Sequence, residues 1–207
     1  MTDLLAYERA YWQRGLHYIA GVDEVGRGCL AGPVVAAAVI LPIECTISGV
    51  RDSKALSAAA RRIADTAIRQ LALAIGIAAV APPIIDAINI RQASLQAMAD
   101  AIAALSLRPQ QLLIDGRDAV AVALPQQRII GGDARSLSIA AASIVAKVYR
   151  DHLMTELEAE YPDFSFGVHK GYPTPQHIAE LSQHGPTAIH RRSFGPVKQR
   201  FYKCVSA

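Results

Sequence analysis

Four carboxylates stand out by where they fall. Asp23 and Glu24 close the apolar run HYIAGVD and precede the glycine-rich stretch EVGRGCLAG, with glycines at 26, 28 and 32. Asp115 closes LLID and is followed by Gly116, and Asp133 sits in GGDARSLS just ahead of a long helix-forming segment. Acids gathered in one place repel unless cations hold them, and an all-oxygen set suits hard ions such as Mg²⁺ or Mn²⁺. That is the composition of a phosphoryl-transfer centre. Each acid alone also has a plain structural reading: incidental acids in a hairpin loop for 23 and 24, an Asp-Gly turn for 115, a helix-start residue favoured by the dipole for 133. Adjacent strand residues face opposite sides, so Asp23 and Glu24 converge only where the strand ends or bulges. The spaced glycines also suggest a dinucleotide fingerprint, but that motif opens a helix, and Pro33 here introduces another strand-like run.

The elements that must position these acids can be read from periodicity. HYIAGVD, PVVAAAVILP and LALAIGIAAVA are apolar and β-branched enough for strands, and the short first connection favours an antiparallel start. After Pro83, Ile88, Ala93, Leu95, Met98, Ile102 and Leu105 recur at roughly helical spacing, followed by the short apolar runs QQLLID and QQRII. A second helix is predicted from Ser136, a suitable cap, to about Glu160, stopping before Pro162. Mixed order of this kind predicts an α/β sheet with helices packed on it, and all four acids fall at strand ends or a helix entrance, where such sheets gather their sites. Ser143 and Lys147 lie four apart on one helix face, and the alanines at 140–142 suit close helix packing.

Composition narrows the class. Hydrophobic residues are 52% and charged ones 19% of 207, with no 18-residue apolar run, which excludes a disordered tail and a membrane span. One domain over 1–207 is expected, since no repeat, linker or low-complexity stretch divides the chain. The N-terminus carries Asp3 and Glu8 where a secretory signal would be basic, and the three cysteines (Cys29, Cys45, Cys204) show no zinc or disulfide pattern, so a cytoplasmic location is expected. From Phe164 onward six Lys/Arg face the single acid Glu180, giving +5 against −2 over the preceding 163 residues. That asymmetry points to an anionic partner, although a basic segment can be simply solvated.

The blocks VDEVGRGCLAGPVVAAAVIL, DSKALS, LLIDG, GGDARSLSIAAASIVAKVYRD, FGVHKGYPT and HRRSFGPVK, in this order from Gly21 to about Lys198, resemble bacterial ribonuclease HII. The resemblance implies a ribonuclease H-like fold: a central mixed five-stranded sheet flanked by helices, with a basic C-terminal helical extension from about 160 that helps hold substrate. It implies that Asp23, Glu24, Asp115 and Asp133 bind Mn²⁺ or Mg²⁺, one ion activating water and a second stabilising the departing 3′ oxygen, to leave a 3′-hydroxyl and a 5′-phosphate. The implied substrate is the RNA strand of RNA/DNA hybrids and single ribonucleotides in duplex DNA. Gly26, Arg27 and Gly28 match the family's GRG motif, which approaches the 2′-hydroxyl that separates RNA from DNA. Tyr172 matches a tyrosine that packs on the sugar, against the alternative of a buried structural tyrosine. Ser53, Lys54, Ser143, Lys147, Arg191 and Arg192 match phosphate contacts. The six histidines keep surface or core roles, His169 lying closest to a motif. Two family lysines are replaced, by Gly131 and Ala55, which bears on affinity rather than chemistry. The tail QRFYKCVSA shows no docking motif for a sliding clamp, so a monomer with no obligate partner is expected. Rival readings are another nuclease of the same fold, resolvase-like, and an inactive hybrid-binding protein.

Overall fold

The computed structural model describes residues 3–47, 50 and 56–199. Among them, β1 (Ile19–Val25), β2 (Val34–Ile40), β3 (Ala74–Val80), β4 (Gln111–Asp115) and β5 (Gln126–Ile129) form one mixed sheet in the order β3-β2-β1-β4-β5. β1 runs antiparallel to β2, with Asp23 opposite Ala37 and Val25 opposite Val35. It runs parallel to β4, and β4 is parallel to β5. The sheet expected from the resemblance is therefore the one observed, including its antiparallel start. β2, VVAAAVI, is buried along its whole length, as a central strand covered on both faces requires.

The helices are α1 (Ala6–Trp12), α2 (Ala58–Leu71), α3 (Pro82–Ala103), α4 (Leu137–Glu160), α5 (Phe166–His169) and α6 (Pro175–His184), with a 3₁₀ turn at Gly132–Ala134. Ser57 caps α2 by accepting from the Ala60 N–H at 3.2 Å. α4 starts as its sequence predicts: the Ser136 hydroxyl oxygen accepts from the Ile139 N–H at 3.3 Å and itself donates to Glu8 at 2.6 Å. The same Glu8 oxygen accepts the Ser138 N–H at 3.0 Å, so a fully buried carboxylate from α1 sits on the first turn of α4, where the helix dipole favours negative charge. The helix expected after Pro83 is corrected: α3 is interrupted at Asn89 (φ 67°, ψ 161°). Its side-chain oxygen accepts from the N–H groups of Arg91 (3.0 Å) and Gln92 (3.1 Å), capping the second half afresh.

The chain divides into two compact units. The first comprises residues up to Val25, Val35–Ala78 and Leu95–Val148; the second comprises Gly26–Val34, Ala79–Ser94 and Tyr149 onward. In the first, Val35, Ala37 and Val39 of β2, Ile68 of α2 and Ala140–Ala142, Ile144 and Val145 of α4 form a closed core. The three alanines are completely buried, so their short side chains do set a close helix packing. Truncating Ile144 there would cost about 2–5 kcal/mol, transfer and cavity together. The second unit is built around Leu30, Ala31, Met154, Phe164, Phe166, Leu181 and Val197. Among the described residues no helix is long and apolar enough to cross a membrane, and neither Cys29 nor Cys45 is in a disulfide.

Candidate active site

The β1 and β4 ladder ends at Val22 opposite Ile114, one residue short of both Asp23 and Asp115. Where the two parallel strands part, their terminal carboxylates stand side by side, and ligand oxygens of Asp23, Glu24 and Asp115 all lie within 4.8 Å of one another. The convergence of adjacent Asp23 and Glu24 thus comes from the end of pairing with β4, while pairing with β2 continues to Val25. Local hydrogen bonds fix the acids. The Glu24 N–H donates to Asp23 Oδ1 at 2.8 Å, the Ser143 hydroxyl of α4 donates to the Asp23 carboxylate, and the Gly132 N–H donates to Asp115 Oδ1 at 2.6 Å. Burial, then the charges of Glu24 and Asp115, push the Asp23 carboxyl well above the usual carboxylate range. An all-carboxylate set that raises the cost of ionising its own buried member is the donor chemistry that fits a hard divalent cation.

Asp133 does not join this trio. It is buried on the 3₁₀ turn, next in sequence to the glycine that holds Asp115. The turn is entered through Gly131 in the left-handed region at φ 64°, a conformation glycine adopts at no cost and lysine does not. Ser143, expected at a phosphate, is engaged with Asp23 instead, and Lys147 is half-buried one turn further along α4. Ser53, Lys54 and Ala55 lie outside the described residues.

The remaining sequence candidates belong to the second unit. Arg27 and Gly28 are exposed, and Gly26 is buried at φ 92°. The segment carrying them is tied to the segment carrying Tyr172: the Leu30 N–H donates to the Gly171 carbonyl at 2.7 Å, and the Arg191 N–H donates to the Leu30 carbonyl at 2.8 Å. Arg191 requires a correction. It is completely buried, and its guanidinium donates to the carbonyls of Gly32 (2.9 and 3.0 Å) and Arg27 (2.9 Å). It is therefore a brace for the glycine loop rather than a group presented to a phosphate. Burial lowers its pKa to about 10. Arg192 is exposed, its backbone N–H anchored on Asp86 at 2.8 Å.

Arg150 escaped the sequence reading. It is fully buried and donates to the carbonyls of Pro33 (2.9 Å), Ala31 (3.0 Å) and Lys170 (2.8 Å), and its guanidinium lies 5.9 Å over the Tyr172 ring. Its only signal in the sequence is an arginine at a position that continues the apolar face of α4. Tyr172 itself is half-buried; burial first, then the neighbouring Cys29, raises its phenol pKa, the two side chains being hydrogen-bonded.

A family model for ribonuclease HII matches residues 20–197. The chain is 52% identical to the ribonuclease HII of Geobacillus thermodenitrificans over 197 residues, 95% of this chain and 76% of the relative. It is 51% identical to that of Bacillus cereus over 201 residues, 97% and 78% respectively. Among solved structures, ribonuclease H2 from Pyrococcus horikoshii superposes with a TM-score of 0.76 at 24% identity, covering 91% of this chain and 99% of that one. Archaeoglobus fulgidus ribonuclease HII, solved in complex with PCNA, gives 0.71 at 26%, covering 86% and 95%. Bst ribonuclease HIII, solved with Mn²⁺, gives 0.65 at 19%, covering 96% and 73%, a likeness of fold.

Proposed function

The chain belongs to the ribonuclease HII family and is a ribonuclease H-type hydrolase of phosphodiester bonds, and from that premise we propose that it cuts the RNA strand of RNA/DNA hybrids and incises 5′ to single ribonucleotides in duplex DNA, so serving ribonucleotide excision repair. The observation that carries this reading is the carboxylate trio Asp23, Glu24 and Asp115 at the open end of the β1 and β4 pair. These acids, with Asp133 supplied by the family pattern, would hold two Mn²⁺ or Mg²⁺ ions. Such ions would supply Lewis acidity for phosphodiester hydrolysis that leaves 3′-hydroxyl and 5′-phosphate ends.

The chain's own residues divide the remaining work. Ser143 and the Gly132 N–H orient the Asp23 and Asp115 carboxylates before any ion arrives. Gly26, Arg27, Gly28 and Tyr172 read the ribose: an added Cβ at Gly28 would meet no atom within 4 Å, so this glycine answers to neither packing nor a left-handed backbone and leaves room for a sugar and its phosphates. Arg150 and Arg191 brace that loop. Lys147, Arg192, Ser53 and Lys54 supply charge or hydrogen bonds to the phosphates. The two units act as one functional domain, as suits a chain that passes between them after Val25, Val34, Ala78, Ser94 and Val148. The reading is of a cytoplasmic monomer and invokes no obligate protein partner; the segment that would carry a clamp motif, beyond Gln199, lies outside the described residues.

The test is cleavage of a labelled DNA duplex holding one ribonucleotide, beside an all-DNA duplex, with Mg²⁺, with Mn²⁺ and with chelator. Metal-dependent incision 5′ to the ribonucleotide alone is expected. Cutting of both duplexes would favour a resolvase-like nuclease, and cutting of neither an inactive hybrid binder.

A further inference from the structure

A chain of buried imidazoles ends on the main chain of Tyr172. His169, His177 and His190 are all at most 5% exposed, the rings of His169 and His177 stack at 4.1 Å, and Phe164 and Phe166 pack around them. His190 Nε2 lies 3.0 Å from His177 Nε2, and His177 Nδ1 lies 2.9 Å from the Tyr172 carbonyl oxygen.

The protons in this chain are fixed by elimination. The Thr187 backbone N–H donates to His190 Nδ1 at 3.0 Å, and the Thr187 hydroxyl, 2.8 Å from the same nitrogen, can donate to it as well, so that nitrogen carries a lone pair and the proton is on Nε2. His190 Nε2–H must then donate to His177 Nε2, which leaves the His177 proton on Nδ1, where it donates to the Tyr172 carbonyl. His169 follows the same logic: its Nδ1 accepts the Gly171 N–H at 3.1 Å, so its Nε2–H donates to Glu180 at 2.9 Å. One tautomer at each ring satisfies every bond. An added proton would oppose the Thr187 N–H or set two N–H groups face to face, in keeping with a His190 pKa pushed down to about 3 by burial and its imidazole neighbours.

We propose that His177, its tautomer set by His190, is a positioning residue for Tyr172: it clamps the Tyr172 carbonyl and so fixes the angle at which the tyrosine ring meets the sugar beside the ribonucleotide. This rests on Tyr172 being the sugar contact proposed above. The Tyr172 carbonyl also accepts the Thr174 N–H at 2.8 Å, and the Thr174 hydroxyl oxygen caps α6 by accepting the His177 N–H at 3.2 Å. The imidazole therefore closes a ring of bonds through residues 172–177 and leaves the backbone there a single arrangement.

Two polar variants of the full chain separate positioning from bulk support. Asparagine places its amide near the former Nδ1 and keeps a donor for the Tyr172 carbonyl; glutamine places its amide near Nε2, keeping His190 and losing Tyr172. Each gives up one of the two hydrogen bonds, so a merely structural role lowers both alike. On the single-ribonucleotide duplex, His177→Gln is expected to lose about tenfold in kcat/KM while His177→Asn stays within about twofold of the parent, the scale of one hydrogen bond. Equal losses, or the reverse order, overturn the proposal. In a Tyr172→Ala background the Asn-versus-Gln difference should vanish, and its persistence would also overturn it. Tyr172→Ala alone reports on the sugar-contact reading: full activity in that variant removes the reading itself, separately from the clamp.

Discussion

The two units treat buried polar groups in opposite ways. In the first, carboxylates are pressed together until burial and two like charges hold Asp23 well above its ordinary range. In the second, buried cations and imidazoles meet acceptors: Arg150 and Arg191 on loop carbonyls, the histidines on one another and on the main chain. The first arrangement is unfavourable until something cationic arrives, which makes it a site for a ligand. The second is satisfied as it stands, which makes it a scaffold that presents exposed groups rigidly. On the proposed reading, cleavage draws on the unit whose electrostatics are incomplete and specificity on the unit where they are complete.

The largest expected effect comes from relieving the first unit. Asp23→Asn should cut turnover by at least about a thousandfold, since a metal ligand is lost, while hybrid binding survives on phosphate contacts. The same change should stabilise the metal-free protein at neutral pH. Because the folded value lies above the ordinary 3.8, the folded state holds the extra proton, so stability is highest at low pH and is lost as pH rises through that window. Removing the charge should raise Tm by about 2–4 °C for each kcal/mol relieved, measured by thermal unfolding with chelator. A lower Tm would mean that the trio is not strained.

Breaking the second unit should do the reverse. Arg191→Met leaves the Gly32 and Arg27 carbonyls without their donors, at about 1–3 kcal/mol each, and a urea midpoint reads the loss. Lysine should not rescue it, lacking the planar fork that spans two carbonyls. A loss below about 1 kcal/mol would return Arg191 to the phosphate-contact role that this structure denies it.

Acid sharpens the contrast. His190 has a folded pKa of about 3 against an ordinary 6.5, so its neutral form stabilises the fold above 6.5, and that stability is lost as pH falls from 6.5 towards 3. The loss approaches about 1.4 kcal/mol per pH unit inside that window, opposite in sign to the Asp23 contribution. His190→Gln should flatten the acid limb of a urea-stability profile, whereas Asp23→Asn should steepen it. An unchanged acid limb in His190→Gln would show that folding does not depress the His190 pKa.

How much of this was legible beforehand depended on whether the signal was local. The strands, α4 and its Ser136 cap could be read because apolar period and capping chemistry lie within a few residues. The break at Asn89 is hidden because Ile88 and Leu95, seven apart, keep helical spacing across it. α1 and α2 have no clear signal, α2 because its exposed arginines and alanines show only a narrow apolar face, and α6 is covered only by the helical extension that the resemblance implies. The acids were visible as types, but their convergence needed a register: only the end of β1 and β4 pairing at Val22 and Ile114 shows why neighbours 23 and 24 can face one point. Arg150 and Arg191 look like surface charge in a sequence and become loop braces only through carbonyls more than a hundred residues away. The histidines read from sequence as plain surface or core residues, and their ordered tautomers arise from the Thr187 and Gly171 N–H groups, backbone donors that composition does not show.

The smallest expected stability effect is the sharpest test of presentation, and it comes from two glycines of one motif. An alanine at Gly26 would be strained at φ 92°, and its Cβ would fall 2.3 Å from Arg150 Nε, so Gly26→Ala should lose stability and activity together. Gly28 has neither constraint, so Gly28→Ala should leave the urea midpoint within about 0.5 kcal/mol of the parent. If the loop backbone must approach a sugar, the same methyl should still cost about tenfold in kcat/KM on the single-ribonucleotide duplex, about 1.4 kcal/mol of contact that only the bound state can lose. A Gly28→Ala protein as active as it is stable would mean that the open space at this position is solvent, and that discrimination of ribose rests on Tyr172 and its clamp alone.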